Sequence, residues 1–467
     1  MFKGLGIAAL YKFVADGMKI FPSEVDYSLT SYKGAGIGMD VLPALLGVGY
    51  ICGARVSSYL FAGGITGWFV LMPLICMFGG TTTFFPAKVP VSELGTWGLW
   101  SNYIKYIGAG AVAAGGIMSL IKSTPLILRT FRDAMRDYGK TAAGTSRLDK
   151  DLNFKLVGIS IIVCAVLLWV IPSIPVSLLG AVIIVVFGFF FATVSSRMVG
   201  IVGSSNNPVS GMCIATLLIA TATLKATGNI GTTGMVAAIS IGTIVCIIAA
   251  IAGDTSQDLK TGYIVGATPY RQQIGEIIGV VFSAAAIGAI LYLLNAAWGY
   301  GSPELPAPQA SLMKMVVEGV MNGNLPWTLV FVGVAIAIVI EILGIPVLPF
   351  AVGLYLPIHL STPMIVGGLI RYYFENRNSV GETETDKKEM TNRGILYASG
   401  LIAGEGLIGI LLAVFAIIHV TDTKSLGDII NVSASFNIGQ IGALVVFALL
   451  AMTLVQTMKG GHKKGND

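Results

Sequence analysis

Charge is the scarcest property of this chain. Asp, Glu, Lys and Arg make up 11% of its 467 residues, where soluble domains carry roughly 25%. Histidine occurs three times, with His462 in a polar tail and His359 and His419 alone near the ends of apolar segments. The five cysteines (Cys52, Cys76, Cys164, Cys213, Cys246) lie inside apolar segments without CxxC spacing and read as small core residues, not disulfides or metal ligands. There is no HExxH, no GxSxG and no His paired with an acid at ligand spacing, which argues against a membrane-embedded enzyme. No alternation of period two marks a β-barrel. Nothing calls for a cofactor, a bound metal or a nucleic-acid partner.

Apolar sequence fills the space. The chain is 55% hydrophobic with 59 glycines, and its mean hydropathy is +0.81. A run of about 20 apolar residues spans a bilayer core. Such runs fall near 37–60, 63–79, 102–122, 154–171, 176–196, 208–225, 232–251, 273–298, 326–343, 345–371, 392–419 and 438–457. These twelve segments predict an all-α, polytopic helical bundle in the lipid bilayer, with glycines letting helices approach closely.

Basic residues orient the bundle. If the 122–155 loop, with eight Lys and Arg, is cytoplasmic, 23 of the 29 basic residues fall inside, the N- and C-termini included. The expected location is therefore the inner, cytoplasmic membrane. The resulting segmentation is a cytoplasmic or interfacial stretch (1–35), a membrane repeat with a broken segment (36–122), a basic cytoplasmic loop (123–153) and central spans (154–343). A second repeat with a broken segment (344–457) and a cytoplasmic tail (458–467) follow. Residues 1–21 make neither a convincing spanning helix nor a signal peptide.

That orientation requires 345–371 to enter and leave on one side. Its four prolines support a re-entrant or discontinuous hairpin, which is tolerated only when buried in protein or lining a cavity. A second copy sits near the start. Val41-Leu42-Pro43, Gly47, Tyr50 and Gly63-Gly64-Ile65 parallel Val347-Leu348-Pro349, Gly353, Tyr355 and Gly367-Gly368-Leu369. Paired Gly/Pro-interrupted segments point to a carrier's binding site; chance agreement between Gly/Pro-rich segments is the alternative.

An ionisable group at a helix centre costs about 2.5 to 3.5 kcal/mol on insertion scales, so it should face a cavity or a partner. Asp40, Arg55, Glu276, Glu341 and Glu405 are in this position. Asp40, Arg55, Glu341 and Glu405 are candidates for a substrate or proton path, the alternative being that Arg55 simply pairs with one of the acids. Glu405 has glycines around it that admit a neighbouring helix or cargo. In GIVGSSNNPVSG (200–211), Asn206 and Asn207 offer amide ligands, or an ordinary Asn-Pro turn. The polar stretch GDTSQDLKTGYIVGATPYRQQIG (253–275) is expected as a loop over 253–272. Asp254, Gln257, Asp258 and Lys260 are its candidates for gating or coupling, a well-capped turn being the alternative. Thr268 and Pro269 read as N-cap and first residue of the next helix.

GDTSQDLKTGY closely resembles the signature of the oligopeptide transporter family, in its prokaryotic branch related to the yellow-stripe-like carriers of metal chelates. KGLGIAALYKF, DVLPALLGVGYICGARVSSY, VGSSNNPVSGM, IEILGIPVLPFAVGLYLPIHLSTP and SGLIAGEGLIG resemble the same family, from Lys3 to about Gly409. The resemblance implies a secondary carrier, a cation-coupled symporter taking small peptides or peptide-like metal chelates into the cell, and the carboxyls within apolar segments, raised in pKa by desolvation, suit the proton as coupling ion. Family members carry further spans before the stretch matching Lys3, so the chain looks N-terminally shortened. A homo-oligomer and a partner chain supplying N-terminal spans both stay open, and with the second the rival reading of a non-autonomous part of a split transporter.

Overall fold

A computed structural model describes residues 1–137, 147–202, 209–302, 304–323, 325–377, 384–421 and 424–459. The elements begin with α1 (Phe2–Lys12), the hairpin strands β1 (Glu24–Ser28) and β2 (Gly36–Asp40), α2 (Pro43–Ile65), α3 (Met72–Gly79), α4 (Thr96–Leu99) and α5 (Lys105–Asp137). They continue with α6 (Phe154–Val170), α7 (Leu178–Val202), α8 (Val209–Ala226), α9 (Gly231–Ile264), α10 (Pro269–Ala297), α11 (Pro308–Asn322) and α12 (Trp327–Ile342). The chain closes with α13 (Val347–Tyr355), α14 (Ile358–Asn376), α15 (Glu384–Ile417), β3 (His419–Thr421), β4 (Lys424–Ser425), α16 (Leu426–Ile430) and α17 (Gly439–Lys459). Six helical runs of the described residues are long and apolar enough to cross a membrane, and three shorter apolar helices accompany them. The chain is a multi-pass helical membrane protein.

Two compact units form. The first comprises Met1–Val112, Ile290–Pro306 and Pro326–Asp467; the second comprises Ala113–Ala289 and Ala307–Leu325.

Two interrupted helices make the centre of the first unit. α2 breaks at Gly53, whose φ of 80° and ψ of 169° leave helical space, a conformation glycine adopts without steric cost. The second interruption separates α13 from α14 at Leu356 and Pro357, where Pro357 caps α14. The carbonyls freed at both places find donors. Arg371 Nη1 donates to Ile51 O at 2.7 Å and to Tyr50 O at 3.3 Å, and Trp100 Nε1 donates to Tyr355 O at 3.3 Å.

The interrupted helices cross so closely that backbone touches backbone. A Cβ at Gly49 would stand 2.0 Å from Met364 O, and one at Gly353 would stand 1.9 Å from Leu60 O. These contacts are reciprocal: adding 304 carries Gly49 to Gly353 and Leu60 to Met364, and Gly63 against Phe350 becomes Gly367 against Leu46. The same shift carries the kink residue Gly53 onto Pro357. The internal repeat expected from sequence is thus a two-fold-like crossing. The Gly63-Gly64 and Gly367-Gly368 pairs match as expected. At the VLP end the register differs by two residues, because Gly49 rather than Gly47 is the counterpart of Gly353. Gly47 instead faces Ala398 O of α15, 2.8 Å from where its Cβ would be.

The N-terminal stretch forms a helix that packs within the first unit. α1 is pressed against α15, where a Cβ at Gly4 would stand 2.3 Å from Tyr397 O and one at Gly404 would stand 2.2 Å from Leu5 O. Small residues in register allow this close approach.

The second unit packs α7, α8, α9 and α11 around Val194, Met212, Leu217, Ile241, Val245 and Val317. Its α9 corrects the loop expected at 253–272, since the helix continues to Ile264 and only 265–268 turns. Residues 253–264 hold no proline, and Ser256 Oγ ties this end of the helix to Ser196 O of α7 at 2.6 Å. Thr268 O accepts from Arg271 N and Gln272 N, so Pro269 takes the first helical position as its sequence implied.

The crossing predicts a position-specific response. Gly49→Ala and Gly353→Ala should each lower stability by about 1 to 3 kcal/mol, the usual cost of overpacking. Gly406→Ala, where nothing lies within 4 Å of the added carbon, should leave it unchanged. Thermal unfolding of the purified variants in one detergent measures the difference.

Candidate functional site

Beside the crossing, the start of α2 meets α1, α15 and the β1–β2 hairpin, and the first unit gathers its buried charge there. Lys12, at the end of α1, pairs with Asp16 Oδ2 at 2.5 Å and with Glu405 Oε1 at 3.5 Å. Glu405 is only 9% exposed. Its other oxygen accepts from the backbone N–H of Ala44 at 2.6 Å, in the first turn of α2. A carboxylate is stabilised there by free N–H groups and the positive end of the helix. Ser23 Oγ donates to Asp16 Oδ1, and the Tyr11 hydroxyl is buried without a partner among the described residues.

Asp40, the last residue of β2, completes the group. Burial pushes its carboxyl up to about 7, Glu24 and Glu405 add to the rise, and Lys12 opposes it. The cluster holds one ammonium and three carboxylates (Asp16, Asp40 and Glu405), a net charge of −2 when all are ionised, which taking up a proton halves. Asp40 is the carboxyl whose environment favours taking it near neutral pH.

Of the candidates read from sequence, the structure brings Asp40 and Glu405 together around Lys12 and leaves the others elsewhere. Arg55 is exposed and donates to Tyr59 OH on its own helix at 3.1 Å, which is not the acid pairing considered for it. Glu341 lies at the C-terminal end of α12, outside the Lys12 ion pairs. Asn206 and Asn207 fall outside the described residues. Asp254, Gln257, Asp258 and Lys260 lie on the last turns of α9 in the second unit, with Asp254, Asp258 and Lys260 exposed. Glu276 lies on α10, one side-chain oxygen buried without a hydrogen bond.

Sequence reasoning missed Lys12 and Asp16, although their spacing of four on a helix was a readable signal. It also missed His359, set aside as a solitary histidine. Its place between Pro357 and Pro363, on the interrupted segment itself, was the clue.

Interrupted, reciprocally crossing helices with charge held at a helix start are an arrangement that membrane carriers use. The family model described as OPT oligopeptide transporter protein matches residues 2–416, and the chain belongs to that family. It is 29% identical over 493 aligned positions to a protein of Haemophilus influenzae carrying the provisional name oligopeptide transporter, covering 94% of this chain and 76% of that one. Plant proteins provisionally named metal-nicotianamine transporters are also similar. One from rice, YSL11, is 25% identical over 86% of this chain and 60% of its own length, and one from Arabidopsis thaliana, YSL8, is 25% identical over 86% and 59%. The chain thus spans about three fifths of the plant relatives.

The raised Asp40 carboxyl makes a signed prediction. A carboxyl whose pKa rises on folding stabilises the fold while it is protonated. Asp40's contribution is therefore fully present below its ordinary value of 3.8 and is lost as pH rises through about 7. Melting temperatures in detergent across that window should fall more steeply for the wild type than for Asp40→Asn, and the two curves should run parallel above it.

Proposed function

We propose that this chain is a secondary active transporter performing proton-coupled symport of oligopeptides or peptide-like metal chelates across the cytoplasmic membrane, with both termini on the cytoplasmic side. The observation that carries the reading is the Lys12–Asp16–Glu405–Asp40 group at the start of an interrupted helix, with Glu405 buried and the other three half-buried. Interrupted helices place free backbone N–H and C=O groups where cargo is held near the midplane. A group with more carboxylates than cations gains a proton when it is desolvated and releases one when water reaches it. Opening the site first to one side and then to the other would therefore move a proton with the cargo.

The family relationship supports transport, and the names of the relatives support the two cargo classes. Both classes present carboxylates, amines and amides, because a chelate is recognised through its organic ligand. The gating residues Asp254, Gln257, Asp258 and Lys260 belong to this proposal as exposed or half-buried positions near the end of α9, where closure of that end of the helix would act on them.

Uptake by proteoliposomes holding only this chain, under an imposed proton gradient, tests the proposal. Labelled tri- to hexapeptides and an iron chelate serve as cargo. The wild type should accumulate at least one cargo class, and Asp40→Asn and Glu405→Gln should each slow gradient-driven uptake by about tenfold or more, equivalent to about 1.4 kcal/mol. Uptake that persists in both variants, or that ignores the gradient, would sink the proton-coupled reading.

A further inference from the structure

His359 lies in the first turn of α14, two residues beyond the break capped by Pro357, and is 1% exposed. Its Nε2 is 3.3 Å from Asp26 Oδ1 and 3.7 Å from Glu24 Oε1. Trp97 stacks on the ring at 4.9 Å between centroids, and Trp68 meets it edge-on at 5.0 Å. Nδ1 is buried with no partner among the described residues. The hairpin is shaped to receive this ring, since a Cβ at Gly38 would stand 1.9 Å from Nε2. Gly38 is the cross-strand partner of Asp26. A side chain at Gly38 would fill the space between that carboxylate and the imidazole.

The next rung but one carries the contact onward. Glu24 and Asp26 share a face of β1, being two residues apart, and Glu24 is paired across the hairpin with Asp40. Directly opposed residues have Cβ atoms about 4.5 to 5.5 Å apart. Asp40 feels the charges of Lys12 and Glu405, and Lys12 pairs with Glu405. Titratable groups therefore follow one another from the break between α13 and α14 to the start of α2: His359, Asp26 and Glu24, Asp40, then Lys12 and Glu405.

We infer that the β1–β2 hairpin is a proton path between the two interrupted helices and that His359 is its second terminus. The inference deepens the symport reading and rests on it. In the transfer, the N–H bond at Nε2 of the imidazolium breaks and an O–H bond forms on Asp26 or Glu24, leaving a neutral imidazole and a neutral acid. Glu24, protonated directly or by Asp26, which then returns to a carboxylate, passes the proton to Asp40 across the hairpin and becomes a carboxylate again, so charge is conserved without another reactant. Glu24 and Asp26 are the charged groups that face the ring; β2 presents Gly38, α4 presents Trp97, and the π-helical stretch joining α2 to α3 presents Trp68, none of which titrates near neutral pH. The stacked indole and the close fit at Gly38 keep the ring oriented toward the acids.

The test compares two transport modes in proteoliposomes. His359→Gln and Asp26→Asn should lose gradient-driven accumulation by about tenfold or more while keeping cargo counterflow, measured without a proton gradient, within about twofold. Accumulation retained in either variant, or accumulation and counterflow lost together in both, overturns the inference, the latter because it marks a merely structural role. A wild type that never accumulates cargo under the gradient would sink the symport reading instead, and the imidazole titration then decides on the path separately. With three histidines in the chain, the NMR signal removed by His359→Gln identifies the ring. It should titrate reversibly as pH is lowered from about 8 and shift its midpoint in Asp40→Asn. A ring that keeps one protonation state throughout, or ignores Asp40, overturns the path.

Discussion

The first unit depends on the close crossing of its two interrupted helices. At Gly49 and Gly353 one backbone lies against another with no room for a side chain, and in an apolar solvent such contact is a principal source of helix association. The crossing exposes a cost, because each break frees carbonyls that lipid cannot satisfy. Arg371 meets that cost at one break and Trp100 at the other. The two halves thus share a backbone geometry but differ in chemistry, a guanidinium serving the first break and a neutral indole the second.

That asymmetry extends to the helix starts. The start of α2 is held by Glu405, itself paired to Lys12. The start of α14 carries His359 facing two acids. The hairpin reaches both, through Asp40 on β2 and through Glu24 and Asp26 on β1. A short polar hairpin beside apolar helices is costly unless its polar groups are needed. Here they connect the two sites where charge is held.

Much of the architecture was legible before any coordinates. The scarcity of charge and the length of the apolar runs imply a helical membrane protein, and the prolines of 345–371 locate a break. The repeat was readable because Gly63-Gly64 and Gly367-Gly368 are constrained by contact, and contact constrains residue type. Its register at the VLP end was not, because Gly47 and Gly49 look alike until the packing of α15 separates their roles. Asp40 and Glu405 stood out as isolated acids in apolar sequence. Lys12, Asp16 and His359 did not, since their importance comes from partners between a few and more than three hundred residues away, which spacing cannot reveal. The polar stretch after Gly253 misled in the opposite sense: it has the composition of a loop, yet 253–264 continue α9 without a proline to stop the helix, and only 265–268 turn.

Proton-coupled symport requires cargo and proton to move together through the Asp40 group, and the most direct measurement is proton entry itself. A pH-sensitive dye is trapped inside proteoliposomes held at equal pH on both sides, and a transported cargo is added outside. Cargo addition should acidify the lumen in the wild type, and Asp40→Asn should abolish the acidification even where cargo still exchanges. Cargo entry without acidification in the wild type, or equal acidification in the variant, would contradict the account.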